Sequence, residues 1–325
     1  MRVIIPVAGE GRRLRPHTFT TPKCLLPIAG KPILGHIIDQ LHDLDISEII
    51  FITGPNGRNI EEYIKRNYSF RTSFIEQARL YGLGYAIHIG ITKTDEDLLV
   101  VLGDTIVELD WKGLISTGKN RLVVKEVADP RAFGVVETRG DRIVALVEKP
   151  QNPPTNLAVV GVYYIKDAGR LKECTTEVIN KGVTTHGEIQ LTDAFELLLQ
   201  RGVELYTYPT LGWYDCGRKE TILATNRFLL EREKRTQAFE GTTIIPPVFI
   251  EATALIDHST IGPYVSIGRG TVVRNSTVRN SIVFDNTKIV SSVIDDSIIG
   301  NHSLIDGGDG SYNLGDYSEV AKPPA

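Results

Sequence analysis

The chain has 325 residues, 42% of them hydrophobic, and a formal net charge of −4. That length and composition accommodate one large domain plus a smaller one, with a sizeable buried core. The near balance of charge, with no Lys or Arg block at either end, argues against nucleic acid or an anionic membrane as the main partner. In chain order, Val3–Val7 reads as a buried strand. Pro32–Leu44 reads as an amphipathic helix, because Ile33, Leu34, Ile37, Ile38 and Leu41 share one face. Ile49–Thr53 is a second strand, Gly57–Arg66 a second helix and Leu98–Leu102 another fully apolar strand. This alternation predicts a mostly parallel sheet covered on both faces. From Arg121 to Ile165 the pattern becomes strand-rich, with Leu122–Val127, Phe133–Glu137, Ile143–Val147 and Val159–Ile165 as the candidates. These strands are expected to flank the sheet and shape a pocket. Glu188–Leu199 and Thr221–Glu233 return to helix, so residues 1–235 make the first domain.

Beyond Gly241 the sequence turns repetitive. Leu255, Ile261, Ile267, Val272, Val278, Val283, Ile289, Val293, Ile298 and Leu304 recur among Gly, Ser, Asn, Asp and Thr. A period of about six fits neither helix nor ordinary strand, but fits short strands with a turn after each, stacked coil on coil. Residues 241–325 therefore read as a hexapeptide-repeat β-helix of about three or four coils, with a tail, a β-sandwich of short strands being the alternative. Flat aliphatic faces and an open end call for a covering surface.

The segment after the first strand, Val7-Ala8-Gly9-Glu10-Gly11-Arg12-Arg13-Leu14-Arg15-Pro16-His17-Thr18, followed by Pro22-Lys23, suits an anion. Gly9 and Gly11 let main-chain N–H groups approach phosphate closely, while Arg13 and Lys23 add a planar fork and a point charge. A third glycine at Rossmann spacing and the Walker pattern are both missing. Asp104 closes the Leu98–Gly103 run, and in an open α/β sheet the carboxyl ends of strands face the ligand cleft. Asp215 follows Trp213 and precedes Gly217. Each aspartate taken alone could be a cap or a turn; as a pair they suit Mg²⁺, which prefers oxygen ligands. Gln77 offers a donor and an acceptor that match the imide edge of thymine or uracil.

These residues fall into an ordered set. Gly9-x-Gly11-x-Arg13-Leu14-x-Pro16-x-Thr18, Pro22-Lys23-x-Leu25-Leu26-Pro27 and Gly30-Lys31-Pro32-Ile33 are followed by Glu76-Gln77, Gly82-Leu83 and Leu102-Gly103-Asp104. Then come Phe133-Gly134-Val135, Val147-Glu148-Lys149-Pro150, Gly161-Val162-Tyr163, Gly187-Glu188-Ile189-Gln190-Leu191-Thr192-Asp193 and Trp213-Tyr214-Asp215-Cys216-Gly217. The set resembles the sugar-1-phosphate nucleotidylyltransferases along almost the whole chain. Gly315-Asp316-Tyr317-Ser318-Glu319 further resembles the tail of the long glucose-1-phosphate thymidylyltransferases.

The resemblance implies an α/β fold, a Rossmann-like mixed sheet flanked by helices, with a short C-terminal left-handed β-helix. It implies nucleotidyl transfer from dTTP to glucose-1-phosphate, giving dTDP-glucose and pyrophosphate. A UTP-dependent UDP-sugar pyrophosphorylase and a catalytically weak nucleotide-sugar-binding regulator are the alternatives. Arg13 and Lys23 are the expected catalytic cations, and Gly9, Gly11, Arg12, Gln77, Gly82 and Asp104 the nucleotide site. Lys149 would hold the sugar phosphate, and Gly134, Glu148, Val159, Tyr163 and Trp213 the hexose. Asp104 and Asp215 would bind Mg²⁺. Arg12 and Cys216 depart from the family pattern, where Thr is usual at both places. His17, His36, His42, His88, His186, His258 and His302 lack metal-ligand spacing and are assigned no chemistry. Cys24, Cys174 and Cys216 form no CxxC pair, the opening apolar run is too short for a signal peptide, and no stretch is long enough to span a membrane. A cytoplasmic setting is the expectation. Every candidate catalytic residue lies before residue 241, so the repeat is expected to serve assembly rather than chemistry; the resemblance implies that the catalytic domain or another subunit covers it, and a homo-oligomer is expected.

Overall fold

The computed structural model describes residues 1–55, 57–185, 187–232, 239 and 241–321. His186, the expected boundary near residue 235 and the last residues of the tail lie outside them. The chain divides into two compact units, one of Met1–Gly9 with Ile37–Trp213, the other of Glu10–His36 with Tyr214–Ala325. No helix among the described residues is long and apolar enough to cross a membrane.

The first unit is built on a nine-stranded sheet. Its strands in chain order are β1 (Arg2–Pro6), β2 (Glu48–Thr53), β3 (Thr72–Glu76), β4 (Leu98–Val101) and β5 (Arg121–Glu126). They continue with β6 (Gly134–Arg139), β7 (Arg142–Glu148), β8 (Leu157–Ile165) and β9 (Tyr206–Pro209). The spatial order is β3-β2-β1-β4-β8-β5-β9-β7-β6. The β1–β4 strands pair in parallel, as the alternation with helices predicts. The sheet as a whole is mixed rather than mostly parallel, because β8 runs antiparallel between β4 and β5. The strand-rich middle also needs no helical crossover: β6 and β7 are joined by a two-residue turn at Gly140-Asp141 and pair antiparallel.

Alternate strand residues face opposite sides. Ile4, Ile50, Val100 and Leu122 pack with Ala86 and Ile87 of the Leu83–Gly90 helix, Leu171 and Cys174 of Ala168–Asn180, and Phe195 and Leu198 of Leu191–Gln200. Val3, Ile5, Ile49 and Phe51 are also fully buried, so the sheet is covered on both faces. The helix expected over Pro32–Leu44 is shorter, Ile33–Asp39. Gln40 and Leu41 instead donate to the carbonyls of Ile37 and Ile38, three residues back, which tightens and ends the helix.

The second unit contains three sheets of five short parallel strands. Thr243–Ile244 lies on Thr260–Ile261, that on Thr277–Val278, then Val293–Ile294 and Asp309–Gly310, each in register. This is the left-handed β-helix, with five strands per face rather than the three or four coils expected. The last coil was hidden because Gly310 and Leu314 stand where the coil below has Ile294 and Ile299. The phase of the repeat also differs. Leu255 and Val293 are 60% and 50% exposed, whereas their neighbours Ile256 and Ile294 are buried. Aliphatic doublets leave the inward member ambiguous until the turns are known.

Hydroxyls hold the corners. The amides of Ser276, Ser292 and Gly308 donate to the side chains of Ser259, Ser276 and Ser292 in the coil before. Thr287, Ser303 and Ser318 repeat this on Thr271, Thr287 and Ser303. Corner amides that the strands cannot pair are thus satisfied inside the coil.

The phase is testable. Ile256→Asp buries a charge and should cost upwards of about 3 kcal/mol, while Leu255→Asp should stay within about 0.5 kcal/mol. Urea unfolding of both variants checks the ordering, and equal losses would contradict the assigned phase.

Candidate active site

In the second unit the glycine-rich loop is shaped by its own residues. Gly11 is left-handed, with φ 63° and ψ 35°, and heads a 3₁₀ turn over Arg12–Leu14. The Thr18 hydroxyl donates to the Gly11 carbonyl at 2.9 Å. A Cβ on Gly11 would lie 2.9 Å from Thr18 Cγ2 and 3.1 Å from Lys23 Cβ, so the stem of Lys23 runs against this glycine. A side chain here meets both the left-handed backbone and that contact. Arg13 Nη2 and Asp215 Oδ2 converge on Gly217, 2.9 and 2.7 Å from where its Cβ would stand. Arg12 turns elsewhere: it is bonded to Glu10 at 2.6 Å and its side chain is 74% exposed. The exposed Glu10 carboxyl is held below its usual range by the bond to Arg12 and by the charges of Arg12 and Arg15.

In the first unit, Gln77 is buried at the end of β3. Its amide N–H donates to Thr53 O at 2.7 Å, and its side chain reaches Gly82 O at 3.5 Å. Gly82 begins the Leu83–Gly90 helix with φ 110°, packed on the backbone of Ile189. The structure therefore brings Gln77 and Gly82 together and backs them with the Ile189-Gln190 segment. Asp104 follows β4, with the Thr105 hydroxyl 3.4 Å from its Oδ1. Gly9 follows the end of β1, and no atom lies within 4 Å of where its Cβ would be.

The predicted sugar residues also gather in the first unit. Glu148, at the end of β7, is held from both sides: Lys149 Nζ lies 3.2 Å from Oε1 and the Thr192 hydroxyl 3.0 Å from Oε2. A Cβ on Gly134 would meet Val159 Cγ2 at 2.8 Å and Glu148 Oε2 at 3.2 Å, so Gly134 leaves room beside the carboxylate. Tyr163 is buried against Phe195, and burial, then the charges of Glu148 and Asp104, push its phenol up. Phe133 meets Trp213 edge-on at 4.6 Å. The Trp213 Nε1–H is buried with no partner among the described residues, a donor suited to a sugar hydroxyl.

Asp104 belongs to the first unit and Asp215 to the second. Among the described residues no group of three or more His, Cys, Asp or Glu is placed to hold a metal. Sequence reasoning passed over Phe133, Thr192 and Asp193. They sit inside quoted motifs, but only their partners reveal a task. Asp193 is part-buried, and burial raises its carboxyl above the usual range, with Glu148 adding to the rise against the Thr185 hydroxyl and the Gln190 backbone bond.

Residues 2–232 match the nucleotidyl transferase family model, and residues 244–309 match the GMPPB C-terminal domain. The chain is 34% identical to the Bifunctional protein GlmU of Methanocaldococcus jannaschii, over 93% of this chain and 78% of that protein. It is 31% identical to the glucose-1-phosphate thymidylyltransferase of Streptomyces antibioticus, over 94% of this chain and 89% of that one. A solved UDP-glucose pyrophosphorylase complexed with UDP-glucose superposes with a TM-score of 0.63 at 27% identity, covering 71% of this chain and 99% of that one.

A carboxyl whose pKa is raised on folding binds its proton more tightly in the folded chain. Its contribution is complete below the unfolded pKa and lost as pH rises through the folded one. Asp193→Asn should therefore gain stability over the parent between pH 4 and pH 7. Denaturation midpoints at both values check this, and a constant gap would count against it.

Proposed function

Because this chain belongs to the nucleotidyl transferase family, we propose that it transfers a nucleotidyl group from dTTP to glucose-1-phosphate, giving dTDP-glucose and pyrophosphate. The observation that carries this reading is the anion loop: Gly11 in a left-handed turn, the Lys23 stem against it, and Arg13 beside Asp215. The thymidylyl assignment draws on the Streptomyces antibioticus relative and on Gln77, which suits an imide edge. UTP in place of dTTP is the second reading, favoured by the likeness to UDP-glucose pyrophosphorylase.

In this mechanism a phosphate oxygen of the sugar-1-phosphate attacks the α-phosphorus in line. The bond from that phosphorus to the bridging oxygen breaks, and pyrophosphate carries away the electron pair. The nucleophile is already an anion, so no general base is required. The obstacles are repulsion between anions and charge gathering on the leaving group. Arg13 stabilises the leaving pyrophosphate, Lys23 the α-phosphate and Lys149 the incoming sugar phosphate. Glu148, held by Lys149 and Thr192, presents a fixed acceptor to ring hydroxyls. Asp104 and Asp215 each offer a hard oxygen donor of the kind that would hold Mg²⁺, which when bound would neutralise phosphate charge. The assembled protein is proposed to be a homo-oligomer, which sedimentation would show.

Pyrophosphate release measured over a matrix of nucleoside triphosphates and sugar-1-phosphates tests the reading. Turnover with dTTP and glucose-1-phosphate above all other pairs is expected, and no release with any pair would sink it. Asp104→Asn and Asp215→Asn should each lower turnover at least about a hundredfold with the fold intact. Near-parent Mg²⁺-dependent rates in both would remove them from the site. Gln77→Ala should weaken dTTP and UTP use and relax discrimination against purines, because the wrong base no longer strands a buried amide. Unchanged selectivity would assign base reading elsewhere.

A further inference from the structure

The loop that carries Arg13 and Lys23 is fastened to the β-helix at both ends, within one compact unit. His17 is 2% exposed, and its Nε2 lies 2.8 Å from Asn313 Oδ1 in the last coil. The same Asn313 donates through Nδ2 to the Arg15 carbonyl at 3.4 Å. That donation turns the amide oxygen toward His17, so Nε2 carries the proton and the imidazole is the neutral donor. Burial, which disfavours imidazolium, agrees with this tautomer. Three residues on, the Thr20 hydroxyl donates to Asp316 Oδ2 at 2.8 Å. Asp316 is itself fixed, because its Oδ1 accepts from the Asn301 backbone at 2.7 Å and from the Asn301 side chain at 3.0 Å. Gly315, between the two, lets Pro16 approach: a Cβ there would stand 3.0 Å from Pro16 Cβ.

At the far end of the loop the Ala29 amide donates to Asn226 Oδ1 at 2.8 Å. Asn226, fully buried on the Lys219–Arg232 helix, also accepts from Ser266 of the β-helix at 2.7 Å. The Phe249 ring of an early coil lies against Gly30. Arg13 lies just before the first fastening, and Lys23 lies between the two.

We propose that the last coil of the β-helix is part of the nucleotide-handling machinery, with Asn313 and Asp316 acting as positioning residues for Arg13 and Lys23 through His17 and Thr20. This rests on the nucleotidyl-transfer reading of the loop. Neither residue touches substrate. They remove conformations of the loop in which its cations miss the triphosphate, so their effect belongs to the nucleotide and not to the sugar phosphate. The β-helix thereby does more than the assembly role expected of it, and the phosphate loop is held by residues on both sides of residue 241.

The test uses the full chain with Asn313→Ala, Thr20→Val, the double variant, and Thr20→Ser, which keeps the hydroxyl. The double variant should lower kcat/KM for the nucleoside triphosphate by at least about tenfold, with the sugar-1-phosphate KM within about twofold of the parent and the melting midpoint retained. Thr20→Ser should restore the loss seen in Thr20→Val. Hydrogen exchange over residues 12–25 should speed up in the double variant, and this readout needs no activity. Unchanged exchange in that segment overturns the positioning role, as does an equal loss for both substrates that tracks a fall in melting midpoint. A parent chain that releases no pyrophosphate defeats the functional reading alone, and the exchange measurement then still decides the fastening.

Discussion

Like charges crowded on a short loop repel, and the structure is arranged around that repulsion. Arg12, Arg13, Arg15 and Lys23 lie within a stretch rich in glycine and proline, with little apolar surface to collapse. Glu10 takes up part of the charge, pairing with Arg12 and lying 3.6 Å from Arg15. Much of the remaining order comes from hydrogen bonds of amide, hydroxyl and imidazole groups, with Asp316 on Thr20 as a carboxylate among them. Fasteners that are mostly neutral leave the loop its positive potential, which an acidic clamp at every point would cancel.

The same economy of charge marks the Glu148 cluster. A carboxylate in a half-buried cleft is unfavourable unless its oxygens are satisfied. Lys149 serves one oxygen with charge and Thr192 the other with a hydroxyl. Lys149 occupies a left-handed backbone position, φ 43°, and its amide donates to Phe133 O at 3.0 Å. The local chain conformation thus ties the Lys149 cation to the aromatic pair formed by Phe133 and Trp213. Polar grip and aromatic wall are neighbours because one turn of backbone carries both.

Much of this could be read from residues alone. Apolar runs located β1, β2 and β4, and the six-residue rhythm located the β-helix, because both signals are local periodicities. The antiparallel place of β8 was not legible, since a fully apolar strand gives no sign of its direction. The inward phase of the coils was blurred by doublets such as Leu255-Ile256 and Val293-Ile294. The motif residues Arg13, Lys23, Gln77 and Glu148 were legible as candidates for the site. Their supports were not: Asn313 is 296 residues from His17, and nothing in an asparagine of a short strand announces a partner that far away.

The hydroxyl ladders and the in-register strands make each coil an equal step, roughly 4.8 Å in height. Coils are stacked between Phe249, near the bottom, and Asn313 and Asp316, near the top, and the same loop touches both levels. The solenoid is therefore a ruler. In most repeat proteins a coil can be gained or lost with little penalty beyond its own interfaces. Here an extra coil between those levels would carry Asn313 and Asp316 one step beyond reach of His17 and Thr20. The loop counts the coils, and a coil added outside that interval would leave the fastening in place.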